Sequence, residues 1–209
     1  MSSFDPRYRK DNVPGNITIA LYRIGQAIGI MLRQKGLAHD LTPTQVQALL
    51  FLTYARPGVR TIGGLAQRLG CTMATASGVA DALERRGLVA RKPWPQHRRT
   101  ITLRLTPEGT TLAEQVDDAL DDLEAIIREL PEEEQAGLLR ATQHIVRRLA
   151  EAGHVVVYEM CWNCGFFRLN AHPDDPAGPH HCAFMDAPLP EEHTYTECPD
   201  FVPAEEVVA

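Results

Sequence analysis

The sequence predicts a mainly α-helical protein with one small β hairpin, and three patterns carry that prediction. Apolar residues recur at three- and four-residue steps through most of positions 15–151, as a helix with one buried face requires. Positions 63–86 split into two short helical stretches around Gly70. Positions 88–105 then alternate polar and apolar residues on either side of a turn at 93–97, the pattern of two short strands.

The first helix is expected over 15–37, with Ile17, Leu21, Ile24, Ile28, Met31 and Leu32 on one face and Gly36 as its stop. Thr42-Pro43 marks the next start, with Thr42 as N-cap and Pro43 at the first helical position. That helix carries Val46, Leu49, Leu50 and Leu52 and ends near Pro57-Gly58. A helix over 63–69, a tight turn at Gly70 and a helix over 72–86 closed by Gly87 make a helix-turn-helix signature. Strands follow over 88–92 and 100–105. Thr106-Pro107 starts a helix with an apolar stripe from Leu112 to Ile127, running to about Leu130, and Pro131 opens another to about Glu151, its acidic first turn suiting the helix dipole. Beyond 155 the helical pattern fails. The last 49 residues hold seven prolines and four of the five cysteines, so a small irregular tail is expected.

A chain of 209 residues, 44% hydrophobic and 23% charged, is long enough to bury a sizeable core and is neither disordered nor fibrous in composition. Positions 1–12 lack the apolar segment of a secretory signal, and no apolar run approaches the ~18 residues that span a bilayer. A cytoplasmic protein without membrane partners is expected. The net charge of −6 is an average over opposed regions. Residues 56–106 set ten Arg/Lys against only Asp81 and Glu84, a net +8, whereas residues 107–209 carry −17. A basic block of this kind is the footprint of phosphate binding.

Its geometry points the same way, because a helix fits the major groove and small polar side chains on it reach base edges. Thr72, Thr75 and Ser77 are the candidates for that reading, although Thr72 fits a cap better. Arg85 and Arg86 at the helix end, and Arg98 and Arg99 on the hairpin, are candidates for phosphates, which supply most of the affinity and set the register. A solvated basic surface, or a protein-binding adaptor that uses the acidic half, is the alternative.

The segments Leu65-Ala66-Gln67-Arg68-Leu69, Leu83-Glu84-Arg85-Arg86-Gly87-Leu88-Val89, Arg98-Arg99 and Leu105-Thr106-Pro107-Glu108-Gly109 occur in this order. Over about residues 15–152 the chain thereby resembles the MarR family of winged helix-turn-helix transcriptional regulators. The resemblance implies no enzyme but a sequence-specific DNA-binding regulator: a homodimer with intertwined first and last helices, a palindromic double-stranded operator, and repression often relieved by a small-molecule effector. It divides the chain into an N-terminal dimerisation helix (1–40), a winged helix-turn-helix (41–106), C-terminal dimerisation helices (107–153) and a Cys-rich extension (154–209). His97 replaces the Asp that usually precedes the paired wing arginines, and Gly78 stands where an arginine often follows the Ser of the recognition helix. Gly78 is expected to let something approach closely.

The tail lies outside that resemblance. Cys161, Cys164, Cys182 and Cys198 supply four sulfurs, a set that suits a closed tetrahedral zinc site; an iron–sulfur cluster, a redox thiol pair or no metal are the alternatives. Gly165 after the CxxC would let backbone N–H groups face sulfur, and His180 or His181 could replace a missing thiolate. A metal would supply folding energy to a segment with little core, and would couple its own state, or a redox state, to DNA affinity if the tail packs on the dimer helices. Trp162, Phe166, Phe167 and Phe184 are expected to pack against the helical body rather than around the cysteines. A thiol–disulfide oxidoreductase built on Cys161 and Cys164 would want a βαβ setting, which the pattern lacks. Cys71 is expected to be a small buried turn residue, and His39, His144 and His154 to be structural or surface groups.

Overall fold

A computed structural model describes residues 2–55, 57–94, 100–155, 160–195, 198, 201–202 and 204, with backbone alone at 57, 192 and 195. The chain opens with a single turn, α1 (Pro6–Arg9), and the long α2 (Val13–Leu37), then α3 (Pro43–Tyr54), α4 (Ile62–Leu69) and α5 (Met73–Arg85). Strands β1 (Val89–Pro93) and β2 (Ile101–Leu105) form an antiparallel hairpin that pairs Val89 with Leu105 and Pro93 with Ile101. The helices α6 (Pro107–Val116), α7 (Asp121–Arg128) and α8 (Glu132–Glu151) follow. This is a mainly helical winged helix-turn-helix.

Helix starts follow the expected capping chemistry. Thr42 accepts from the Gln45 amide, while the Gln45 side chain accepts from the Thr42 amide, a reciprocal capping box. Thr61, Thr72 and Thr106 each accept from the amide three residues on. Gly36 does not stop α2: it lies in the last turn, buried under the Leu41 carbonyl.

The core sits around α3. Val46, Leu49 and Leu52 are fully buried with Leu65 of α4, Leu83 of α5, Leu103 of β2 and Val116 of α6. From α2 only the C-terminal end, at Ile28 and Leu32, joins them. No residue of α7 or α8 is buried. Ile17, Ile24 and Ile30 of α2, Ile126 of α7 and Leu139 of α8 are all exposed.

Two expectations are corrected here. The single helix expected from 107 to about 130 is broken at 117–120, where the ladder tightens to three-residue turns. Asp117 there accepts from the Tyr54 hydroxyl at 2.5 Å, and Asp118 pairs with Lys35 at 2.5 Å. The Lys35 ammonium holds the Asp118 carboxyl below the usual carboxylate range. The tail is not irregular either. It folds as a three-stranded antiparallel sheet, β3 (Phe167–Arg168), β4 (His180–Cys182) and β5 (Ala187–Leu189), flanked by single turns at Cys161–Asn163 and Glu191–Tyr195. Among the described residues no helix is long and apolar enough to cross a membrane.

Candidate nucleic-acid interface and thiol cluster

The reading head is built from two capped helices. Gly70 ends α4 in the left-handed region at φ 61°, which glycine adopts without a side-chain penalty, and the Cys71 amide reaches back to the Ala66 carbonyl. The chain then turns straight into α5, whose Ala76, Ala80 and Leu83 are buried in the core. The opposite face carries Ala74, Thr75, Gly78 and Arg85, all exposed. Thr72 is the N-cap, and its hydroxyl lies 2.9 Å from that of Thr75, so the two hydroxyls form one polar pair at the helix start. Ser77 is half-buried at the edge of this face. Among the described residues nothing outside the helix's own backbone lies within 4 Å of a Cβ built at Gly78, so no close approach is made there.

The basic residues divide into exposed cations and internal braces. Arg85 is exposed on α5. Arg86, also expected at a phosphate, is exposed too and donates to the carbonyls of Asp40 (2.7 Å) and His39 (3.0 Å), tying the end of α5 to the α2–α3 turn. Arg60 donates to the Ala55 and Thr53 carbonyls at the end of α3, where a cation also suits the helix dipole. Arg91 in β1 bonds Asp81 at 2.6 Å and also Glu84. Burial opposes the Arg91 charge, and the bonds to these two carboxylates outweigh it, raising its pKa further. Asp81 and Glu84 are the two acids of the basic segment, so one strand residue engages both and offsets one of their two charges. Arg91 was not among the sequence candidates; its signal is two acids one helical turn apart, just ahead of a strand with arginine at its centre. Arg98 and Arg99, with His97, lie outside the described residues.

In the tail, antiparallel pairing sets Cys182 opposite Phe167 and Ala187. Cys161, Cys164, Cys182 and Cys198 all line one cavity of about 50 Å³. Phe166, Phe167, Phe184 and Phe201 complete its wall, so the phenylalanines expected against the helical body instead surround the cysteines. Trp162 does face the body, with the Arg147 guanidinium of α8 4.4 Å from its ring centre. Burial first, then the neighbouring sulfurs of Cys198, Cys164 and Cys182, push the Cys161 thiol up to about 11.

Four sulfurs around one small cavity are the donor set that zinc prefers, although among the described residues no three Cys, His, Asp or Glu stand close enough to hold an ion. The Gly165 amide does not face sulfur: it donates to the Val202 carbonyl at 2.8 Å, fastening the CxxC loop to the C-terminal segment. The imidazoles do not replace a sulfur either. Buried His180 accepts from the Asn170 amide on Nδ1 and donates from Nε2 to Glu191 at 2.6 Å, and His181 faces His172 at 3.1 Å. Cys71 is half-buried rather than buried, packs beside the core, and lines a groove with His154.

Residues 39–100 match the sequence profile of the MarR family. Among solved structures, MepR of S. aureus in complex with DNA is 26% identical with a TM-score of 0.55, over 63% of this chain and 97% of that one. A MarR family protein from Bacillus stearothermophilus is 21% identical with a TM-score of 0.57, over 68% and 98%. CouR from Rhodococcus jostii RHA1, solved with p-coumaroyl-CoA, is 23% identical with a TM-score of 0.54, over 65% and 92%. No curated protein sequence matches the chain.

Proposed function

We propose, from the match of residues 39–100 to the MarR family of transcriptional regulators, that the protein is a cytoplasmic homodimeric DNA-binding repressor of a palindromic double-stranded operator. The observation that carries this reading is the exposed Thr72–Thr75 end of α5, set in a basic segment whose two acids are both paired with Arg91. Thr75 and Ser77 read base edges, Thr72 holds the helix start, and Arg85 with Arg98 and Arg99 meets phosphates. The apolar face of α2 and the exposed apolar residues of α7 and α8 support a second copy as partner, and a two-fold dimer reads a two-fold operator. The test is DNA binding by the full chain across a salt series. Affinity should fall with a log–log slope of roughly −0.9 per phosphate contacted. Binding that ignores salt would sink the proposal and favour a protein-binding adaptor.

The tail holds one structural zinc on Cys161, Cys164, Cys182 and Cys198, supported by the convergence of the four sulfurs on one cavity. An iron–sulfur cluster on the same sulfurs is the second reading. Its brown colour and absorbance near ~400 nm after anaerobic purification would separate it from a colourless zinc protein. The signal that lifts repression is a small-molecule effector, or the metal or redox state of this site.

A further inference from the structure

Trp162 stands inside the Cys161–Cys164 loop, and the described contacts fix it from several sides. Its ring lies 5.0 Å from that of Phe167 and 5.6 Å from that of His180. Its indole N–H donates to Thr194 Oγ1 at 3.1 Å. Thr194 is itself fully buried, and its hydroxyl donates to the Glu191 carbonyl at 2.7 Å. Cys161 also touches this turn, its thiol donating to the His193 carbonyl at 3.9 Å. The Arg147 guanidinium of α8 lies over the indole, held there by Glu151 one turn further along the same helix. A cation on an aromatic face is a directional contact that weakens when the ring tilts or slides.

We infer that the Trp162–Arg147 contact is the joint through which the state of the four-sulfur site is passed to α8. This rests on the reading that the four cysteines bind a metal ion. Drawing the sulfurs onto an ion tightens the Cys161–Cys164 loop, and Trp162 is part of that loop. The indole therefore moves with the sulfurs, and Arg147 carries the movement into a helix whose apolar residues are unburied within the chain. Trp162 is a positioning residue here, acting through Arg147 rather than on a ligand.

The test compares full-length reduced protein with and without zinc, with metal content measured directly. The Trp94→Phe background leaves Trp162 as the one fluorophore of its kind. Zinc should shift Trp162 emission and slow amide exchange across residues 140–151 by on the order of fivefold, the low end of measured couplings between sites. Arg147→Ala should bind zinc and still shift Trp162 emission, while exchange in α8 no longer responds. Arg147→Lys, which keeps the cation, should restore the response. Zinc uptake with unchanged α8 exchange overturns the joint and leaves the metal site standing. So does an Arg147→Ala protein that responds as fully as the parent. An intact chain that binds no zinc overturns the metal site and the joint together.

Discussion

Arg91 shows how one side chain decides whether a basic surface works as one. Without it, Asp81 and Glu84 would place two carboxylates on the recognition helix, beside the phosphates. Arg91→Ala should weaken DNA binding by about tenfold, or ~1.4 kcal/mol, in a fluorescence anisotropy titration. The triple change with Asp81→Asn and Glu84→Gln should recover most of that loss. Thr72 and Thr75 can be told apart in the same way. Thr72→Ala removes an N-cap and should cost about 1 kcal/mol of stability in urea unfolding. Thr72→Asn keeps an acceptor there and should keep the stability. Thr75→Ala should spare stability more than Thr72→Ala does and lower DNA affinity. Residue identity alone could not sort the arginines. Arg85 and Arg86 are adjacent and chemically equal, yet only Arg86 meets two backbone carbonyls from a segment 46 residues away in sequence.

At the scale of elements, most of the helical body was legible because its signals are local. A threonine cap followed by proline or a helical apolar step marks α3 and α6 wherever they end up in space. The break between α6 and α7 was not legible, because Asp117 and Asp118 are turned out by Tyr54 and Lys35, residues far away in the chain. The tail sheet was missed for another reason. Its strands have two or three residues each, too short for any periodicity to register. The Leu-Thr-x-x-Gly pattern, by contrast, has a local physical cause. A Cβ at Gly109 would run into the Leu88 carbonyl, so α6 can seat against the start of β1 only with glycine there. Gly109→Ala should therefore cost roughly 1–3 kcal/mol of overpacking, read as a lower denaturant midpoint with an unchanged slope.

For the whole molecule, apolar residues point outward along α2, α7 and α8. Ile126 is 61% exposed and Leu139 49% exposed, a surface that the second copy proposed above would cover. Ile126→Glu with Leu139→Glu should yield monomers by sedimentation velocity, with the winged domain still folded and operator affinity reduced at least tenfold by the loss of one half-site. If the proposed site is loaded with zinc, chelation should lower the melting temperature of the tail without unfolding the winged domain, because the cysteine cavity and the helical core share no lining residue. The charge contrast belongs to this scale too: the basic and acidic segments are read directly from the sequence, and only the fold shows which cations are committed internally.

Arg60 ends as more than one cation among ten. Its guanidinium caps α3 while its own carbonyl accepts from the Leu103 amide of β2 at 2.6 Å. Arg60 thus joins the hairpin to the end of the central helix, in addition to the packing of Leu103 in the core, like a bracket bolted to a beam. Arg91 adds a second tie, from β1 to Asp81 and Glu84 of α5. On the dimeric reading proposed above, a signal that releases DNA would act on the span between two such heads rather than within one.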